Sequence, residues 1–379
     1  MQQPMLPTDV SHILHTLNTH GFEAYIVGGC VRDCILGRVP QDWDITTSAE
    51  PLQVKALFPQ TFDTGIQHGT ITVVENHVNY EITTYRVDGA YTDSRHPEEV
   101  FFTKSLTEDL RRRDFTMNAI AYHPDTGFQD PFQGILDIHE RIIRGVGNPA
   151  LRFQEDALRM LRCVRFSAQL GFQIEPQTNT ALTENAPLIQ NISVERIKAE
   201  LDKLWASPNV PAMAHLWESG LVAEIDPLLS KRLLSSAPHL LHQLAQSPQD
   251  LLLRWCLVLQ DYTGSEAKAL LKKLKSDTAG MRQIILLLGE MQTDLPTEPY
   301  PLRRAAGRLG IETLHQLLTL QAILRPLSPH LLSKQTLEGI LEAGDCFTLK
   351  TLALSGSDLL ALGIPNGKEL GGLLARLLD

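Results

Sequence analysis

Residues 25–47 read Y-I-V-G-G-C-V-R-D-C-I-L-G-R-V-P-Q-D-W-D-I-T-T, and the rest of the chain is best read outward from them. An apolar run, Ala24 to Val27, ends in two glycines. A short helical pattern follows, Cys30 to Leu36, and Gly37 closes it. Asp42 and Asp44 then flank Trp43 and lead into Ile-Thr-Thr. The spacing predicts strand, glycine turn, short helix, loop, strand. Residues two apart in a strand share a face, so Asp42 and Asp44 are expected side by side with Trp43 turned away. Two such carboxylates repel unless a cation lies between them. A hard divalent ion with oxygen ligands, Mg²⁺, suits them best. Gly28 and Gly29 keep no side chain between a ligand and the backbone, and the helix start after them favours an anion. Together the two halves form a place for a metal-bound triphosphate.

Each half alone has a plainer explanation. A Gly-Gly before a helix is usually a tight turn, and a D-x-D is more often a solvated loop or a cap. The combination is rarer: Gly28-Gly29, then Arg32-Asp33, then Asp42-x-Asp44. It resembles the head of the class II nucleotidyltransferases that extend RNA 3′ ends, the tRNA CCA-adding enzymes and bacterial poly(A) polymerases.

The chain has 379 residues, 43% hydrophobic and 21% charged, which suits several domains with real cores. No apolar run reaches the length of about 18 residues that a membrane span needs. The N-terminus lacks a basic start and an apolar core, so no signal peptide is expected. Five cysteines form no C-x-x-C, and a reducing cytoplasm is expected. The net charge of −10 argues against a sequence-blind nucleic-acid coat. It leaves room for an enzyme that grips one RNA through local basic patches.

In chain order, residues 9–21 predict a leading helix and residues 50–58 another, opening at Pro51. Residues 70–75 and 78–86 predict a hairpin around Asn76-His77. Glu81 on its second strand is a candidate third carboxylate facing the Asp pair; a solvent-facing strand residue is the plainer alternative. Residues 87–99 read as an exposed loop, and residues 100–102 resume a strand. Then comes D-L-R-R-R-D-F-T-M-N-A, residues 109–119, abutting an apolar strand at 119–122. Three arginines in a row usually make a solvated face, but here at least one is expected to face a packed site. A further strand is expected at 141–145. Beyond residue 148 helical periods dominate.

Residues 152–170, R-F-Q-E-D-A-L-R-M-L-R-C-V-R-F-S-A-Q-L, predict one helix. At about 100° per residue, Arg152, Glu155, Asp156, Arg159 and Arg162 share a face, and Phe153, Ala157, Leu161, Val164 and Ala168 the other. Alternating charge on a helix face is usually a salt-bridged surface. Asp156 and Arg159 can also present an acceptor and donors to one planar ligand. Arg165 lies off this face, toward the apolar side. Ser193 to Ile197 starts another helix, with Arg196 near it. Two basic helices, 267–275 and 301–310, offer Lys272, Lys273, Lys275, Arg303 and Arg304 as RNA contacts.

R-R-D-F-T-M-N-A resembles the stretch joining head to neck in the CCA-adding family, and E-D-A-L-R-M-L-R its nucleotide-selecting helix. The end, from Leu352, resembles the closing motif but departs from it at Asn366-Gly367-Lys368. The resemblance implies an α+β fold in a seahorse arrangement. A catalytic head with a roughly five-stranded mixed sheet (1–148) would be followed by a helical neck (149–200), body (201–290) and tail (291–379). It implies addition of C, C and A to the tRNA 3′ end from CTP and ATP, with Mg²⁺ held by Asp42 and Asp44 and Glu81 beside them. Gly28, Gly29, Arg32, Arg113, Asp114, Asn118, Arg162 and Arg165 would surround the nucleotide, and Asp156 and Arg159 would read its base. Alternatives are A-only or CC-only addition, poly(A) synthesis, or tRNA binding without catalysis. The loop at 87–99, with Asp93 and Arg95 as candidate contacts, would re-aim the selecting pair from CTP to ATP; its presence ranks CC-only addition low.

Overall fold

The structure, a computed structural model, describes residues 3–89 and 99–378. Helix α1 (Thr8–Thr19) buries Val10, Ile13, Leu14 and Leu17, the stripe of an amphipathic helix. Gly21 turns the chain at φ +83°. β1 (Ala24–Val27) follows, then Gly28 and α2 (Gly29–Ile35), as the glycine pair predicts. β2 (Ile45–Thr47), α3 (Pro51–Leu57), β3 (Thr61–Gly65), β4 (Thr70–Glu75) and β5 (Val78–Thr84) come next. Asn76 and His77 both take positive φ in the β4–β5 turn, as a two-residue hairpin loop requires.

β6 (Arg86–Asp88) and β7 (Val100–Phe102) pair with each other as a separate antiparallel ribbon. The stretch expected to be loop from residue 87 is therefore paired at both ends, and Gly89 N–H donates to the Glu99 carbonyl at 2.9 Å. Asp93 and Arg95 lie outside the described residues. After the ribbon come α4 (Leu106–Arg111), β8 (Ala121–His123) and β9 (Gly127–Gln129). The strand expected from residue 119 starts two residues later, because residues 116–118 form a 3₁₀ turn.

The main sheet runs β3-β4-β5-β2-β1-β8-β9, seven strands rather than about five. β1 pairs antiparallel with β2 and β8, and β2 runs parallel to β5. The two unexpected strands, β3 and β9, are the sheet edges. Their sequences, Thr-Phe-Asp-Thr-Gly and Gly-Phe-Gln, carry no apolar alternation because an edge strand need not bury a face. Val27 anchors one face of the sheet, packed with Leu110, Ala119, Ala121 and Val146.

The chain continues through α5 (Gly134–Glu140), β10 (Ile142–Ile143), α6 (Pro149–Glu155), α7 (Leu158–Leu170), β11 (Gln173–Ile174), α8 (Pro176–Asn185) and α9 (Val194–Trp205). The strand expected at 141–145 shrinks to β10, which leaves the main sheet and pairs parallel with β11. The single helix expected over 152–170 is two. Asp156 breaks it in extended geometry, φ −138°, ψ 102°. Its Oδ1 accepts the Leu158 N–H at 3.1 Å, filling a donor left open at the start of α7.

The fold divides into two compact units, residues 1–235 and 236–379, where four segments were expected. The described residues of the second unit form helices joined by loops, with no strand, including Leu251–Val258, Gly264–Lys273, Thr278–Glu290, Pro299–Leu309 and Ile311–Leu324.

Candidate active site

Asp44 and Asp42 sit at the entry to β2 rather than within it. Val27 N–H donates to the Asp44 carbonyl at 3.0 Å, so Asp44 extends the ladder by one residue. Asp42 lies in a bend before it. Strand alternation thus accounts for Asp44 and not for Asp42. The register that pairs Ile45 with Ile82 sets Asp44 beside Glu81, which is exposed. Among the described residues no three His, Cys, Asp or Glu side chains converge as a metal cage. An ion held here therefore takes further oxygens from a substrate or water.

Gly28 faces Asp44. At φ +82°, a Cβ on residue 28 would stand 2.9 Å from Arg113 Nη1 and 3.9 Å from Asp44 Oδ2. That is backbone strain plus a clash, and glycine avoids both. Burial raises the Asp44 carboxyl above its ordinary range, and Asp42 adds to this while Arg113 opposes it. Of the three consecutive arginines only Arg111 is exposed. Arg112 donates to fully buried Asp109 at 2.8 and 3.0 Å. Arg113 lies 3.7 Å from the same carboxylate, and its buried Nε has no hydrogen-bond partner among the described residues. Asp109 also accepts from Thr46 Oγ1 and from Arg86 N–H at the base of the ribbon.

A second group lies between α2 and α7. Arg32 Nη1 donates to Asn118 Oδ1 at 2.8 Å, and Asn118 Nδ2 to Asp114 Oδ1 at 3.1 Å. Arg162 donates through Nε and Nη2 to Asp114 Oδ2, at 2.8 and 2.7 Å. Arg32 also grips Asp33, and a Cβ at Gly29 would lie 3.7 Å from its Nη2. Burial pushes the Asp114 carboxyl up, but the Arg162 charge and the bonds from Asn118 and Arg162 outweigh it and bring it down to about 2. Arg165 turns inward, as its place off the charged face implied, and donates to buried Glu200 at 2.6 Å. Phe166 was not anticipated: the Arg32, Arg162 and Arg165 guanidinium carbons lie 5.2, 5.3 and 3.9 Å from its ring centroid.

The selecting pair of the sequence reading flanks the α6–α7 break. Because Asp156 is extended, the shared helical face expected for residues 152–162 does not exist. Asp156 accepts from Arg196 on α9 at 2.9 Å. Arg159 donates to Glu155 at 2.7 Å and to the carbonyls of Arg152 and Arg112 at 3.1 and 2.8 Å. Arg196 and Glu155 were missed as site residues; their signal is opposite charge within reach of Asp156 and Arg159.

In the second unit Lys272, Lys273 and Lys275 are exposed. The helix carrying them ends at Lys273, and Lys275 follows at φ 52°. Arg303 pairs with Asp345 at 2.6 Å. With exposed Arg304, Tyr300, Phe347 and Lys350 it lines a cleft of about 780 Å³.

Residues 24–144 match the family described as Poly A polymerase head domain. Residues 171–233 match that described as Probable RNA and SrmB- binding site of polymerase A. The CCA-adding enzyme of Geobacillus thermodenitrificans is 52% identical over 220 residues, 58% of this chain and 54% of that protein. The chain thus spans about half the length of the curated relatives it matches at this level. The CCA-adding enzyme of Lactobacillus johnsonii is 36% identical over 378 residues, 99% of this chain and 92% of that protein. The structure of the Bacillus stearothermophilus CCA-adding enzyme in complex with CTP is 34% identical with a TM-score of 0.81, covering 99% and 92% of the two chains. Among the described residues no helix is long and apolar enough to cross a membrane.

Proposed function

Because this chain belongs to the CCA-adding enzyme family, we propose that it adds C, C and A to the 3′ end of tRNA from CTP and ATP without a nucleic-acid template. The observation that carries this reading is Asp44 opposite Gly28 and Arg113, with the Asp42 charge acting on it, in a chain similar over its length to enzymes of that name. In each round the RNA 3′ hydroxyl attacks the α-phosphorus. A P–O bond forms, the bond to the bridging oxygen breaks, pyrophosphate leaves with the electron pair, and the hydroxyl proton passes to solvent.

The donor set suits Mg²⁺, which commonly takes one or two carboxylates and fills its octahedron with phosphate oxygens and water. Asp42 and Asp44 would hold it, and when bound it makes the hydroxyl a better nucleophile and neutralises triphosphate charge. The chain's own residues do the positioning. Gly28 and Gly29 leave room for the triphosphate, Arg32, Arg113 and Arg162 meet its charge, and Asn118 and Asp114 aim Arg32 and Arg162. Glu81 adds a carboxylate beside Asp44. Asp156 and Arg159 read the Watson–Crick edge. Cytosine N4 and adenine N6 donate to a carboxylate; cytosine N3 and O2, or adenine N1, accept from a guanidinium. Guanine and uracil present an acceptor where Asp156 needs a donor, so they cannot replace the Arg196 pairing that a correct base displaces. The five free thiols support a cytoplasmic setting.

The test is to incubate the protein with tRNA transcripts ending before the tail, after one C and after two, with each nucleotide and Mg²⁺. Stepwise growth to CCA is expected. Products that stop at CC, begin only from CC, or run into long A tails identify the corresponding partial adder or polymerase. Binding without extension identifies a non-catalytic protein.

A further inference from the structure

We propose that Phe166 is a positioning residue for the nucleotide's polyphosphate. Its ring holds guanidinium groups from two parts of the fold at the place where the triphosphate is received. The proposal rests on the reading that a nucleoside triphosphate occupies this site.

Arg32 belongs to α2, directly after the glycine turn, and Arg162 and Arg165 belong to α7. Each has a carboxylate of its own: Asp33, Asp114 and Glu200. Those pairs balance charge and fix one edge of each guanidinium. They do not by themselves bring Arg32 and Arg162 together. Two links span that gap, the Asn118–Asp114 hydrogen-bond chain and the Phe166 ring. An aromatic face attracts a cation through its quadrupole, most strongly where water is excluded. Phe166 is 5% exposed, so that attraction is little screened. Nor is the ring free to turn. It meets fully buried Phe115 edge to face, at 5.9 Å and 87°, and Phe115 bridges to Gly145 through its backbone. The ring thus contacts Phe115 as well as the guanidinium groups. Arg165, at 3.9 Å and tied to Glu200, braces it further, while Arg162 and Arg32 keep donors for phosphate oxygens. An aliphatic side chain of equal size would fill the volume without this directional pull.

The test separates ring electrostatics from packing. In the full chain, Phe166 is replaced by phenylalanines bearing one, two and three ring fluorines, which weaken the face potential at nearly constant shape, and Phe166→Leu is made alongside. Three readouts are taken: KM and kcat for CTP addition to a tRNA transcript, equilibrium binding of inorganic tripolyphosphate with Mg²⁺, and the thermal midpoint. KM for CTP and the tripolyphosphate Kd are expected to rise in step with fluorination, about tenfold across the series, with kcat changing less and the midpoint steady. Values that stay flat across the series overturn the proposal and leave Phe166 as core packing, whatever Phe166→Leu does. A parent that adds no nucleotide but whose tripolyphosphate binding follows fluorination refutes the enzymatic reading and upholds this one. A parent that neither adds nucleotide nor binds tripolyphosphate refutes both.

Discussion

Asp114 accepts from Arg162 and Asn118, and these partners hold its carboxyl near 2 in the folded chain. A depressed carboxylate contributes stability that is present above its unfolded value, about 3.9, and lost as pH falls toward the folded one. The shift corresponds to about 2 to 3 kcal/mol. Asp114→Asn should therefore lower unfolding free energy by about 2 to 3 kcal/mol at pH 7, with the deficit closing between pH 4 and 2. Urea titrations across that range check it; a deficit independent of pH would mean the pair is not the cause. Asp44 has the opposite sign. Its raised carboxyl contributes stability only below its unfolded value, which is lost as pH rises, so at neutral pH its charge opposes folding. Asp42→Ala and Asp44→Ala should accordingly abolish nucleotide addition while leaving the midpoint and tRNA binding nearly unchanged. Mg²⁺-dependent addition by either variant would place the metal elsewhere. Gly28, Asp44 and Arg113 were legible because residue type alone limits what they can do. Phe166 was not, since an aromatic in an apolar run reads as core until its neighbours are known.

Elements were legible where one element carries its own signal. The glycine turn, the Asn76–His77 hairpin and the α1 stripe all follow from local chemistry. The edge strands β3 and β9 lack such a signal because they form only against a neighbour. The α6–α7 break was hidden for another reason. Asp156 fits a charged helix face in pattern, while its side chain competes for the backbone N–H of Leu158. The proposed base choice would belong to this break. Arg159→Ala, and more strongly Asp156→Ala, should slow addition and raise UTP and GTP use relative to CTP and ATP in competition assays. Equal losses for all four nucleotides would leave both residues structural. The ribbon β6–β7 makes a second element-scale prediction. Its base reaches Asp109, the carboxylate beside Arg112 and Arg113. Removing residues 89–97 should leave C addition nearly intact and stop the product at CC. An unchanged rate for the final A would reduce the segment to a linker.

Over the whole molecule the charge is −10, so the proposed RNA affinity would have to come from local patches. Charge reversal at Lys272, Lys273, Lys275 or Arg304 should weaken tRNA binding and flatten its salt dependence. The slope should fall by roughly 0.9 for each duplex phosphate that is no longer neutralised. Filter binding from low to high salt measures both, and unchanged slopes would move the RNA surface to other residues.

The pairing of Asp156 with Arg196 and of Arg159 with Glu155 gives the proposed base reader the character of an exchange equilibrium. A nucleobase does not enter vacant positions there; it competes with side chains of the same protein. Every incoming base is compared with one internal standard, and only a base whose hydrogen bonds outweigh those two pairings displaces them. Measured nucleotide affinity is then the difference between two recognition events. Loss of the internal competitor, as in Arg196→Ala, should tighten binding of every base that displaces it by the same factor and leave the ratio between them unchanged. Affinity on this account, rather than discrimination, depends on how firmly the reader holds itself when nothing is bound.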